Sequence, residues 1–253
     1  MAQPLPATAS SRPRVAVVIP TLNEEAPIAG VVGAVPRDIV DEIMVADSGS
    51  TDRTVERARA AGARVVLETR RGYGRACAAG AAAARGCDII VFLDGDGSDA
   101  PELIPVLLGP ILAGGYDFVI GSRTRGERQP GSMSIHQVAA GYIAGALMRL
   151  LYGVRYTDMC AFRAIRRDAL EGLGMREMTY GWNLEMQMRA ARAGLRILEV
   201  PIAHRRRTGG ASKVSGTVMG TLKASLRIAL AFARVALERQ RRPAPMPYRD
   251  ARG

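Results

Sequence analysis

Five consecutive apolar residues, Ile89 to Leu93, run directly into Asp94-Gly-Asp96-Gly-Ser-Asp99. An unbroken apolar run of that length suits a strand buried on both faces, as in a parallel sheet covered by helices. Carboxylates crowded at the end of such a strand repel one another unless water and loop dipoles screen them or a cation lies between them. The rest of the chain must therefore supply helices for both faces of a sheet, and either solvent or positive charge at this strand end.

Strands and helices do alternate. Val15 to Ile19 reads as a buried strand ended by Pro20, with a helix from about Glu25. Glu42 to Ala46 is a second strand, ending in Asp47-Ser-Gly-Ser-Thr-Asp52; Ser50 or Thr51 is the expected cap of a helix over Arg53 to Ala61. Ala63 to Glu68 is a third strand. An alanine-rich helix runs from the Arg71-Gly-Tyr-Gly74 turn to Arg85, and Pro101 starts another after the opening run. Tyr116 to Ile120 is a fifth strand, leading into Gly121-Ser122-Arg123. The rhythm predicts an α/β fold with a mostly parallel sheet and helices on both faces, in which ligands bind at the carboxyl ends of the strands. Those ends hold Thr21-Leu-Asn23-Glu24, Asp47, Asp94, Asp96 and Arg123. Further on, Ile135 to Tyr152 and Trp182 to Arg192 read as helices and Leu195 to Val200 as a strand. The expected organisation is a flexible leader over 1–13, one domain over 14–215, a helix over 216–240 and a disordered tail over 241–253.

The 253 residues carry a net charge of +11, which calls for an anionic partner: nucleic acid, an acidic membrane surface or a phosphorylated substrate. Aromatic content of 5% argues against nucleic acid held by base stacking. Cys77, Cys87 and Cys160 lack metal-ligand spacing, and His136 and His204 lie far apart, so a zinc site is not expected and a reduced, cytoplasmic setting is. The first residues lack the order of a signal peptide. No uncharged apolar run reaches the roughly 18–20 residues of a spanning helix; Thr217 to Leu237 comes nearest, interrupted by Lys223, Arg227 and Arg234. Those basic residues and Arg241 share one helical stripe, away from Leu222, Leu226, Leu230, Ala233 and Leu237. Two readings stand: a basic amphipathic helix in a membrane interface, or a terminal helix packed on the domain.

Asp94 and Asp96 make a partial shell for Mg2+ or Mn2+, which take one or two protein carboxylates and complete their octahedron with water and substrate phosphates. The alternative for the pair is a solvated loop ahead of the Pro101 helix.

Pro20-Thr-Leu-Asn-Glu24, Asp47-Ser-Gly-Ser-Thr-Asp52, Asp94-Gly-Asp96 and Val119-Ile-Gly-Ser-Arg123 stand in the order and spacing of the family 2 glycosyltransferases. Together with Thr157-Asp158, Phe162-Arg163 and Arg207-Thr-Gly-Gly-Ala-Ser-Lys213, they make residues 14 to 215 resemble the polyprenyl-phosphate branch, the dolichol-phosphate mannosyltransferase-like enzymes. The resemblance implies a GT-A (Rossmann-like) fold, a nucleotide-sugar donor, a polyprenyl-phosphate acceptor and a divalent metal. It places Pro20, Asn23, Glu24 and Asp47 at the donor nucleoside, and Asp94 and Asp96 at the metal and diphosphate. Arg123 falls at the acceptor phosphate, and Arg207 and Lys213 at phosphates of donor or acceptor. Ser132 or Ser134 and His136, at the start of a helix, are further candidates for the acceptor phosphate. An enzyme of this kind would work peripherally at the inner face of a membrane, directly or through a membrane-protein partner.

The chain departs from the family pattern at several places. Ser48 replaces a second aspartate, Cys160-Ala161 stands where Ser-Gly is common, and Gly97-Ser98-Asp99 leaves Ser98 or Asp99 as candidate third metal ligands. Relatives acting on hydroxyl groups carry an acidic pair where this chain has only Glu185. A hydroxyl nucleophile needs a base, whereas a phosphate monoester with a second pKa of about 6 is already largely ionised. Glu185 is thus a base in a hydroxyl-acceptor enzyme or, the favoured reading, the partner of a nearby arginine. Trp182 and Tyr180 are candidates for sugar stacking, with a core position the alternative for Trp182. A nucleotidyltransferase and a non-catalytic basic membrane module are the remaining rivals.

Overall fold

The computed structural model describes residues 12–208, 230 and 232–238. Lys213, the tail over 241–253, most of the leader and most of the expected 216–240 helix lie outside the described residues.

Seven strands form one sheet in the order β3-β2-β1-β4-β6-β5-β7. The strands are β1 (Val15–Thr21), β2 (Glu42–Asp47), β3 (Arg64–Leu67), β4 (Ile89–Phe92), β5 (Phe118–Ser122), β6 (Arg163–Arg166) and β7 (Ile197–Pro201). Every residue of β1, β4 and β5 is buried. Because successive side chains point to opposite faces, both faces of the sheet are covered. The helices are α1 (Ile28–Gly33), α2 (Thr54–Ala60), α3 (Tyr73–Ala83), α4 (Ile104–Leu112), α5 (Ile135–Tyr152), α6 (Arg167–Gly172) and α7 (Trp182–Arg192). The alternation and the bounds of α5 and α7 are those expected from the sequence.

Two details differ. The helix after β2 is held not by Ser50 or Thr51 but by Asp52, whose Oδ1 accepts from the Thr54 backbone N–H at 3.0 Å. Ser50 is engaged elsewhere: its Oγ accepts from the Asn23 N–H at 2.8 Å and donates to Asp47. The larger difference is β6, which runs antiparallel between β4 and β5. Running backwards, β6 presents its amino end at the rim where its neighbours present their carboxyl ends, and so brings the preceding Thr157-Asp158 there. Arg163, at its start, is fully buried. Its guanidinium donates to the carbonyls of Asn183 (3.0 Å) and Cys160 and lies over the Phe118 ring at 5.8 Å, tying β6 to α7.

α5 is fixed at both ends. Ser134 and Gln137 form a capping box, and Gly153 closes the helix in the left-handed conformation at φ 71°. Its inner face passes so close to the chain that a Cβ on Gly145 would overlap the Tyr156 carbonyl oxygen. Gly145→Ala is therefore expected to cost about 1–3 kcal/mol, by pushing α5 away from the domain, measured as a fall in the denaturation midpoint. The three cysteines are free and buried, and Trp182 is core, packed edge-on to Phe92 with centroids 6.3 Å apart.

Candidate active site

The strand order reverses between β1 and β4, and the crevice outside their carboxyl ends is where an open α/β sheet binds ligands. On one side of it Asp47 ends β2 and lines a cavity of about 330 Å³ with Gly49, Ser50, Val55, Arg59 and Leu67 among others. Its carboxylate accepts from the N–H groups of Gly49 (3.0 Å) and Ser50 (2.8 Å) and from the hydroxyls of Thr21 (3.1 Å) and Ser50. Asp47 thus shapes the floor of this cavity. Asn23, in the left-handed region at φ 52°, clasps the same loop through its Oδ1, which accepts from the Thr51 N–H at 2.8 Å. Pro20 is buried within β1, and neither Pro20 nor Glu24 lines the cavity.

Glu24 instead faces the centre of the crevice. After β7 the chain crosses the rim: the N–H of Arg205 donates to the Ser98 carbonyl (2.9 Å) and that of Thr208 to the Asp96 carbonyl (3.1 Å). This path lays Arg207 between two carboxylates, with Nη2 donating to Glu24 and Nη1 3.5 Å from Asp96 Oδ2. Residues more than a hundred positions apart in sequence meet here.

The Asp94–Asp99 turn is built on its own side chains. Asp96 Oδ1 accepts from the Ser98 N–H (2.9 Å) and hydroxyl (2.6 Å), while Gly97 takes the positive φ of 77° that the bend requires. Asp99 is buried and accepts from the Asp94 N–H at 3.0 Å. Burial, then the charges of Asp99 and Asp96, push the Asp94 carboxyl up to about 8, against the pull of Tyr73 and Arg123. The Tyr73 hydroxyl donates to Asp94 Oδ1 at 3.1 Å, and its own proton is held firmly by burial and by the charge of Asp94. A divalent cation would offset the mutual repulsion of these carboxylates, so the donor set fits one.

Arg123, directly after β5, forks onto Asp158 with Nε–Oδ2 and Nη2–Oδ1 both at 2.7 Å, and its backbone N–H donates to the same carboxylate at 2.9 Å. The pair is largely buried rather than a surface contact. Burial acts to raise the Asp158 carboxyl, but the Arg123 hydrogen bonds and charge outweigh it and hold it below the usual carboxylate range. Beneath it, Glu199 accepts from the N–H and hydroxyl of Thr157 (2.8 and 2.9 Å), and Gln187 Nε2 donates to the Asp158 carbonyl at 2.9 Å. Asp158 is thereby fixed and Arg123 aimed. Ser134 serves as the α5 cap, its Oγ accepting from the Gln137 N–H at 3.3 Å, and residue 136 lies in the first turn of α5. The shielded Ser132 hydroxyl has no hydrogen-bond partner among the described residues.

Glu185 sits at the start of α7, fully buried. Oε1 accepts from Arg189 (2.9 Å) and Arg234 (3.2 Å), and Oε2 from the N–H of Arg176 (2.9 Å) and Glu177 (2.5 Å). Such a carboxylate holds its surroundings together and has no lone pair to spare for a substrate. Glu185→Gln is expected to lower the unfolding free energy by about 1–3 kcal/mol, read by denaturation. The pH profile of turnover should not move; a profile that loses its acid limb would restore the role of base.

Tyr73 and His204 are the site neighbours that residue-type reasoning passed over, whereas Asp99 was already a candidate metal ligand. His204 is buried, with Nδ1 3.7 Å from Asp99 Oδ1. Its position just before Arg205-Arg206-Arg207 was the available signal.

The chain is similar to known proteins. The sequence model described as Glycosyl transferase family 2 matches residues 16–174. The chain is 38% identical over 215 residues to an uncharacterized glycosyltransferase of Mycobacterium tuberculosis, covering 84% of this chain and 94% of that protein. It is 36% identical over 225 residues to the undecaprenyl-phosphate mannosyltransferase of Micrococcus luteus, covering 82% and 90%. Among solved structures it is similar to glucosyl-3-phosphoglycerate synthase of M. tuberculosis in complex with Mn2+, UDP-glucose and phosphoglyceric acid. That TM-score is 0.73 at 29% identity, over 88% of this chain and 80% of that one. From its sheet and its sequence alike, the chain belongs to the family 2 glycosyltransferases, with the GT-A fold, and is a glycosyltransferase.

Proposed function

We propose that this glycosyltransferase moves a hexose from a nucleotide sugar, UDP- or GDP-linked, to a polyprenyl phosphate, with inversion at the sugar carbon and dependence on Mg2+ or Mn2+. The observation that carries the reading is the pairing of two charged arrangements across one rim: Glu24–Arg207–Asp96 on the donor side and Arg123–Asp158 on the other. The similarity to an undecaprenyl-phosphate mannosyltransferase supports the acceptor class, and the Mn2+ and UDP-glucose in the similar solved structure support the metal and the donor.

In this reading the nucleoside occupies the cavity beside Asp47, and Asp94 and Asp96 hold the cation. The cation, when bound, neutralises charge developing on the leaving diphosphate. Tyr73 fixes Asp94 by its hydrogen bond, and Arg207 adds a second positive charge beside the diphosphate. Arg123 presents to the acceptor phosphate the edge of its guanidinium that Asp158 does not occupy. Ser132 or Ser134, with His136 and Lys213, is assigned to the same phosphate. A phosphate oxygen, already ionised at neutral pH, attacks without a protein base. That agrees with Glu185 being fully engaged by Arg189, Arg234 and backbone N–H groups.

The test is transfer of labelled sugar from a panel of nucleotide sugars into an organic-extractable polyprenyl-phosphate fraction, with Mn2+, with Mg2+ and with chelator. The expected result is organic-soluble label from one donor, lost with chelator. Donor turnover that leaves all label in the aqueous phase would overturn the acceptor.

A further inference from the structure

α5 carries only one charged residue, Arg149, in its 18 residues. A helix so apolar is ordinarily buried on all sides. Here Gly141, Gly145 and Met148 face the domain, and an arc of roughly 200° on the other side is open. Along that arc Ile135 (83% exposed), Tyr142, Ile143 (62%), Leu147, Leu150 (79%) and Leu151 span about 24 Å of the helix. Monomeric soluble proteins seldom leave apolar patches of that extent uncovered unless they bind something. No described element packs on it.

The charges around the stripe define its partner. Between Glu127 and Asp158 the chain holds no carboxylate, while Arg128, Arg149 and Arg155 are all exposed. Arg125 and Arg206 are exposed beside the loop that leads into the helix. An apolar face flanked by five exposed arginines, with Glu127 the exposed carboxylate in the loop before it, complements a lipid interface with anionic headgroups.

Of the segment over which the sequence left a choice, residues 230 and 232–238 are described. In residues 232–238 Val235 is buried, Glu238 accepts from Arg189 (2.8 Å), and Arg234 donates to Glu185 and Glu177. These side chains are engaged with α7 and its approach, while Leu230 and Leu237 of the same segment are exposed.

We infer that the open face of α5 lies in the plane of an anionic lipid surface and seats the enzyme there, so that a lipid-linked phosphate reaches Arg123 while its chain stays in the bilayer. The inference rests on the polyprenyl-phosphate reading. Its geometry follows from the short loop, residues 123–134, that joins Arg123 to the start of the stripe.

The test is flotation of the full chain with phosphatidylcholine vesicles, with and without phosphatidylglycerol, for the wild type and for Ile143→Glu/Leu150→Glu. Each preparation is also assayed for melting temperature, oligomeric state, and sugar transfer to a short, water-soluble isoprenyl phosphate. The wild type is expected to float with the anionic vesicles, less so at high salt. The variant should bind about tenfold to a hundredfold more weakly, with melting and soluble transfer unchanged. Equal flotation of variant and wild type, or no flotation of either, overturns the inference. So does a variant that melts early without lipid, which would mean that the chain itself covers the face, or one that dissociates a dimer, which would mean that a second copy does. Vesicle binding without transfer to any isoprenyl phosphate would sink the proposed activity while leaving the docking face standing. Transfer to lipid phosphate by a variant that still floats would do the reverse.

Discussion

Asp96→Asn is expected to lower turnover by about a hundredfold to a thousandfold, with stability within about 0.5 kcal/mol of wild type. Asp96 does two separable things. Its Oδ1 accepts from the N–H and hydroxyl of Ser98, which shapes the turn, and an asparagine carbonyl keeps both bonds. Its charge faces Arg207 and, with Asp94, makes the place for a divalent cation. Asparagine removes that charge alone. Calorimetric titration of the donor nucleotide with Mn2+ checks the cause: the metal-dependent part of binding should disappear. A variant that still binds the donor in a metal-dependent way would show that Asp96 is only a turn residue. Asp94 is the less informative target, because it is embedded among Tyr73, Asp99 and the core, and replacing it would disturb packing as well as charge.

Asp158→Ala carries the second large effect, an expected loss of about 3–5 kcal/mol of unfolding free energy. The variant leaves the Arg123 guanidinium largely buried without its two 2.7 Å partners. Removing one member of such a pair is costly because the other charge remains. Turnover should fall too, since Arg123 is then no longer held in one orientation. The same pair sets an acid limit on stability. With its folded-state pKa below the unfolded value, Asp158 contributes fully above the ordinary carboxylate range. That contribution fades as pH falls through the depressed folded value. Urea midpoints measured down the acid limb should therefore converge for wild type and Asp158→Asn. Midpoints that stay equally far apart at all pH values would contradict this.

Much of the architecture could be read directly from residue order. The apolar run before Asp94 announced a strand buried on both faces, and β4 is that strand. α5 and α7 were legible because each has a clear start and an uninterrupted helical stretch. β6 was not. Arg163-Ala-Ile-Arg166 is four residues long with an arginine at each end, and nothing local states that it pairs antiparallel between β4 and β5. Its consequence, the delivery of Asp158 to Arg123, was therefore hidden even though both residues were in view. The Glu24–Arg207–Asp96 arrangement was foreshadowed only by family register, because its members are brought together by the path of the chain after β7. His204 shows the limit of counting spacings: two histidines far apart in sequence say nothing of which one the fold buries beside an aspartate. The excess of arginine is spent partly on internal pairs such as Arg189–Glu185, and partly left exposed around α5.

The account turns on a phosphate oxygen, not a hydroxyl, being the acceptor. The most direct measurement offers the enzyme polyprenyl phosphate and the unphosphorylated polyprenol together, with one nucleotide sugar and Mn2+, and identifies the product by mass spectrometry. The expected product is a hexosyl phosphate ester of the polyprenol, with no hexosyl polyprenol. A sugar joined directly to the alcohol, or to a water-soluble hydroxyl compound with the lipid phosphate untouched, would contradict it.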